Sequence, residues 1–100
     1  MKSVERNQIA TAFEKQNEID KAIELYEFNI QLKEKNPPMI QFKRLIIIFR
    51  KKKDKLNLLR ILKLYLVVME QRLKDVTVRI KPEIQKIVDD VRDEINKIAF

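Results

Sequence analysis

"IIIFRKKKDK", residues 46–55, runs three isoleucines and a phenylalanine straight into four basic residues. Taken alone, it reads as a buried strand, a membrane anchor with a basic flank, or a nucleic-acid patch. On a helical wheel, however, Phe42, Leu45, Ile46 and Phe49 share one face, with Met39 and Ile48 beside it. Lys43, Arg44, Arg50 and Lys51 fall on the opposite arc together with Ile40 and Ile47. This is the three-and-four spacing of an amphipathic helix. A strand would divide the two sets less cleanly, and no turn chemistry bounds it. The longest apolar runs, Leu45–Phe49 and Leu64–Met69, fall far short of the roughly 20 residues that span a bilayer. The stretch is therefore a junction: a helix ends at about Lys51, Lys52 and Lys53 turn, and Asp54 is placed to cap the next helix.

Working outward, the rest of the chain divides in the same way. Ile9, Ala10 and Phe13 give a first helix over about 4–15, with Ser3 as its expected cap. After a break at Gln16-Asn17, Ile19, Ala22, Ile23, Tyr26 and Ile30 mark a second helix over about 18–35. Asn36-Pro37-Pro38 closes it, because proline lacks a donor and turns its predecessor away from helix. The third helix covers about 38–52. The fourth, about 54–74, is apolar around most of its circumference and is expected to be the central, buried helix. "VTVRI", residues 76–80, reads either as an extension of it or as a linker. Pro82 suits the first turn of a last helix, whose stripe is Ile84, Ile87, Val88, Val91, Ile95 and Ile98.

Composition narrows both fold and function. The 100 residues fit a single domain and contain no glycine, cysteine or histidine. Glycine-built phosphate loops, ordinary zinc sites, disulfides and the usual base of a triad hydrolase are thereby excluded. Helix-forming charged residues dominate, so the expected class is all-α. No secretory signal leads the chain, and a cytoplasmic setting is expected. The net charge of +7 is concentrated in residues 43–63, which hold nine basic side chains against Asp54 alone, a local +8.

Residues 9, 10, 13, 17, 19, 22 and 26 align with residues 45, 46, 49, 53, 55, 58 and 62 at a constant offset of 36. A period near this length, built from paired helices, is the mark of a helical solenoid. "IATAFEKQNEIDKAIELYE" resembles a tetratricopeptide repeat (TPR): Ile9, Ala10 and Phe13 on its first helix, Ala22 and Tyr26 on its second. "RLIIIFRKKKDKLNLLRIL" looks like a degenerate second copy that keeps Leu45 and Phe49 but has Ile46 and Leu58 at the small positions. Asn17 and Lys53 stand where the family often has glycine. The resemblance implies a short right-handed solenoid of five antiparallel helices. Its parts are repeat 1 over 3–36, degenerate repeat 2 over 39–74 and a capping helix over 82–99.

In that family the first helix of each pair lines a groove that holds a peptide. The resemblance places Asn7 and Thr11, with Val4 and Glu14, on this face from repeat 1. Ile40, Lys43, Arg44, Ile47, Arg50 and Lys51 are the candidates from repeat 2 and its basic arc. The expected function is non-catalytic binding of a protein or acidic peptide through a basic groove, without metal or cofactor. Nucleic-acid binding through 43–63 is the alternative; against it, Phe42 and Phe49 lie on the core face and cannot be stacking platforms. The carboxylates Glu24, Glu27, Asp89, Asp90 and Asp93 lie on polar helix faces, not in a sheltered pair, and no catalysis is expected. The last helix either packs back on the fourth or pairs with a second chain as a homodimer.

Overall fold

The computed structural model describes residues 1–76 and 79–99. Among these the protein is all-α, with five helices: α1 (Ser3–Lys15), α2 (Ile19–Gln31), α3 (Ile40–Lys51), α4 (Lys55–Asp75) and α5 (Lys81–Ala99). The chain forms two compact units, Met1–Ile48 and Phe49–Phe100, with the division inside α3. Part of the 76–80 stretch, residues 77–78, lies outside the described residues. No helix among the described residues is long and apolar enough to cross a membrane.

The two turns 36 residues apart have the same construction. After α1, the Asn17 N–H bonds the Glu14 carbonyl at 3.0 Å and the Glu18 N–H bonds the Phe13 carbonyl at 2.9 Å. After α3, the Lys53 N–H bonds the Arg50 carbonyl at 3.1 Å and the Asp54 N–H bonds the Phe49 carbonyl at 3.0 Å. Each pair is a Schellman closure, which satisfies the orphan carbonyls of the last turn and needs a left-handed residue at its pivot. With no glycine in the chain, Asn17 (φ 60°) and Lys53 (φ 56°) take that conformation. Asp54 then caps α4, accepting the Asn57 N–H at 3.1 Å and the Asn57 side-chain amide at 2.7 Å. These bonds, side chain first, hold its carboxyl below its ordinary pKa.

In the first unit α1 and α2 pair closely. Asn7 meets Asn29 while Thr11 meets Tyr26, so the helices are antiparallel. The buried face of α1 is the expected one only in part: Ala10 is buried and Phe13 half-buried, but polar residues replace Ile9. Ser3, Asn7 and Ala10 are buried, whereas Ile9 is 39% exposed. Ser3 does not cap: Lys2 occupies the cap position without a side-chain bond, and the Ser3 hydroxyl donates to Glu34. Helix α2 ends earlier than the prolines require, because Lys33 turns left-handed (φ 51°) just after it.

In the second unit α4 and α5 pair closely. Val88 and Val91 at the centre of the α5 stripe are buried, so this helix packs back on α4. One face of α4 buries Leu58, Ile61, Leu62, Tyr65 and Met69. The expectation of burial all round is corrected on the other face, where Leu56 (80%), Val67 (65%) and Leu64 (38%) are exposed. One close helix partner covers one face; Leu59, Leu66, Val68 and Leu73 are half-buried at its margins.

Candidate functional site

A groove of about 520 Å³ opens in the first unit between α1 and the start of α3. Along α1 its wall is Val4, Gln8, Thr11 and Lys15, with Asn7 beside them. These recur at four, three and four residues and so share one side of the helix. The opposite wall is Pro38, Met39 and Ile40. Buried Pro37 anchors the approach to α3, and the Phe42 and Lys43 N–H groups both bond the Met39 carbonyl, at 3.1 and 3.2 Å. Met39 is thereby fixed at the helix start, with Ile40 following it into the first turn.

The polar floor of the groove is held from behind. Arg6 donates to Asn29 Oδ1 at 2.6 Å. The Asn29 amide donates to the Ser3 carbonyl at 3.0 Å and to Asn7 Oδ1 at 2.8 Å. Asn7 in turn donates to Gln41 Oε1 at 2.8 Å. Because a guanidinium can only donate, Arg6 sets the direction of every amide in this chain of bonds. Asn7 is consequently both lining and committed: it is 4% exposed, accepts from Asn29 and donates to Gln41.

A second set of bonds fastens the three helices of the unit. The Tyr26 hydroxyl donates to Glu14 Oε2 at 2.5 Å. The Thr11 hydroxyl donates to the Asn7 carbonyl at 2.9 Å and lies 3.0 Å from the Tyr26 hydroxyl. Arg44 closes on Glu14 as a fork, Nε to Oε2 at 3.2 Å and a terminal nitrogen to Oε1 at 2.7 Å. Burial, reinforced by the Glu14 carboxylate, pushes the Tyr26 pKa up to about 12. The bond to Glu14 likewise raises that of Arg44.

The candidate residues therefore separate. Asn7, Thr11 and Ile40 come together on the groove, with Val4. Lys43, Arg44 and Ile47 are not among its lining residues: Lys43 is exposed, Ile47 half-buried, and Arg44 is held by Glu14. Arg50 belongs to the second unit and pairs with Glu94 at 2.6 Å; Lys51, also there, is exposed. This groove is apolar and amide-lined, and Lys15 is its single charged lining residue. Gln8, Lys15, Pro38 and Met39 were not singled out from the sequence. The heptad-like recurrence of Val4, Gln8, Thr11 and Lys15 was the signal available for two of them.

The described residues form an all-α protein with a helix-lined groove in its first unit. No protein-family model, curated protein sequence or solved structure matches the chain.

Proposed function

We propose that the protein is a non-catalytic interaction module, similar to a tetratricopeptide repeat, that holds an extended peptide segment of a partner protein in the α1/α3 groove. The observation that carries this reading is the groove itself: it lies on the first helices of the two proposed hairpins and gathers Val4, Asn7, Thr11 and Ile40. Two further features support it. The Schellman turns at Asn17 and Lys53 stand 36 residues apart, as a repeat requires. Asn7 bonds Gln41 and Glu14 bonds Arg44, so higher positions on α1 meet higher positions on α3. The two helices thus run in the same sense, which is compatible with successive first helices of a solenoid.

The chemistry of the walls defines the ligand. From Val4 to Lys15 the groove is about 16 Å long, room for about five residues of extended peptide. Val4, Pro38, Met39 and Ile40 take apolar side chains, the exposed Gln8 amide can bond the peptide backbone, and Lys15 favours an acidic residue at one end. The cysteine-free sequence suits a cytoplasmic setting, which belongs to the same proposal.

Selection from a displayed random-peptide library, with the Ile40→Glu variant as counter-target, tests the proposal. Enrichment of short apolar peptides carrying one acidic residue is expected, with fluorescence anisotropy showing at least about tenfold weaker binding to Ile40→Glu. Ile40 is 42% exposed, so the variant is expected to fold. A library that yields no binder, or binders indifferent to Ile40, would defeat the reading.

A further inference from the structure

The exposed face of α4 is a second surface with its own chemistry. Leu56, Arg60, Lys63, Leu64, Val67 and Lys74 share one side of the helix and are all exposed. Leu56 (80%) and Val67 (65%) present nearly whole side chains to water. The carboxylates of α4 do not neutralise the face. Glu70 is paired with Arg92 of α5, and Asp75, at the C-terminal end, accepts from Gln71. Arg60 donates to Asn57 at 3.0 Å, which holds its guanidinium on the outer side of the helix. The result is three apolar residues interleaved with cations over about 27 Å of helix.

We propose that this face docks an acidic amphipathic helix of a partner protein. Three arguments select that occupant. A second copy presenting the same face would set cations against cations, which disfavours an isologous dimer. The face belongs to a helix whose backbone bonds are already made, so an extended peptide finds no edge to pair with; a partner must interact through side chains, as an amphipathic helix does. The face carries no aromatic residue, which removes both the stacking platform for bases and the aromatic anchor of a membrane-surface helix.

The test uses a fluorescein-labelled synthetic helix with leucine on one face and glutamate on the other, long enough to run from Leu56 to Lys74. Its controls are the same peptide with lysine for glutamate, vesicles of phosphatidylcholine and phosphatidylglycerol, and random-sequence single-stranded RNA. Anisotropy at low and moderate salt is expected to show binding of the acidic peptide alone. That binding should weaken at least about tenfold in Leu56→Asp/Val67→Asp and in Lys63→Glu. It should be unchanged in Ile40→Glu, which separates this face from the groove. Circular dichroism checks that each variant folds, and Lys63→Glu keeps the test alive if the apolar pair does not. The proposal is overturned if the acidic peptide fails to bind, if it binds all variants equally, or if vesicles or RNA bind through these residues instead.

Discussion

Both units bury apolar side chains, Ala10, Ala22, Tyr26, Phe42, Leu45, Ile46 and Ile48 in the first, but among the described residues the first alone also buries polar ones. In Met1–Ile48 the interior contains Ser3, Asn7, Asn29 and Gln41, an amide chain that starts at Arg6, and beside it the Glu14–Tyr26–Arg44 cluster. In Phe49–Phe100 the buried side chains are Phe49, Leu58, Ile61, Leu62, Tyr65, Met69, Val88 and Val91. An apolar interior is stabilised by area removed from water and tolerates sliding. An interior of directed hydrogen bonds contributes less net energy, but it is satisfied in one register only. The unit with the ordered polar interior is the one that carries the groove. This fits a site whose walls must keep a fixed spacing.

The largest expected effect lies on the apolar side. Phe49→Ala removes a ring that is 4% exposed and should cost about 3–5 kcal/mol in urea unfolding. A loss below about 1 kcal/mol would mean that the second unit does not depend on its apolar interior. On the polar side, Asn29→Ala strips partners from Arg6, Asn7 and the Ser3 carbonyl at once and should cost about 2–3 kcal/mol. Replacing Asn7, Asn29 and Gln41 together by leucine should cost less than that single change. It should nevertheless broaden the amide spectrum of α1 and α3 as the register loosens. If the triple variant keeps sharp resonances, the amides do not specify the packing.

The turns extend the comparison at smaller scale. Asparagine accepts the left-handed conformation more readily than lysine does. Lys53→Gly should therefore stabilise by about 1 kcal/mol, and Asn17→Gly by less. Equal gains would contradict this account of the two turns. Smallest is the alkaline effect of Tyr26. Its folded pKa, about 12, lies above the ordinary 10.0, so the folded state holds a proton that the unfolded state releases. The stabilisation is whole below about pH 10 and is lost as pH rises through about 12. Tyr26→Phe should flatten part of the fall in thermal midpoint across that window. Burial also raises the Tyr65 pKa, so the remainder of the fall should persist. An unchanged alkaline profile in Tyr26→Phe would contradict the assignment.

Much of the fold was legible because it is written in local signals. Asp54 as a cap, Pro82 in a first turn, the Lys52–Lys53 break and the alternation of Phe42, Leu45, Ile46 and Phe49 all depend on neighbours close in sequence. The inward face of α1 was legible only in part, since apolar periodicity cannot see the polar Ser3, Asn7 and Glu14 and points to Ile9 instead. Nor could apolar content alone show that Leu56 and Val67 remain outside. Of the site, Asn7, Thr11 and Ile40 followed from the resemblance. That Arg44 and Arg50 are ion-paired could not be read from the sequence, because their carboxylates, Glu14 and Glu94, lie 30 and 44 positions away. Charge density in a segment does not reveal which charges the fold has already consumed.

The central claim is that a partner peptide lies in the α1/α3 groove, and the most direct test is an amide chemical-shift map of the protein saturated with a library-selected peptide. The account predicts the largest shifts at Val4, Gln8, Thr11, Lys15, Met39 and Ile40. Shifts confined to α4, at Leu56, Lys63 and Val67, would contradict it.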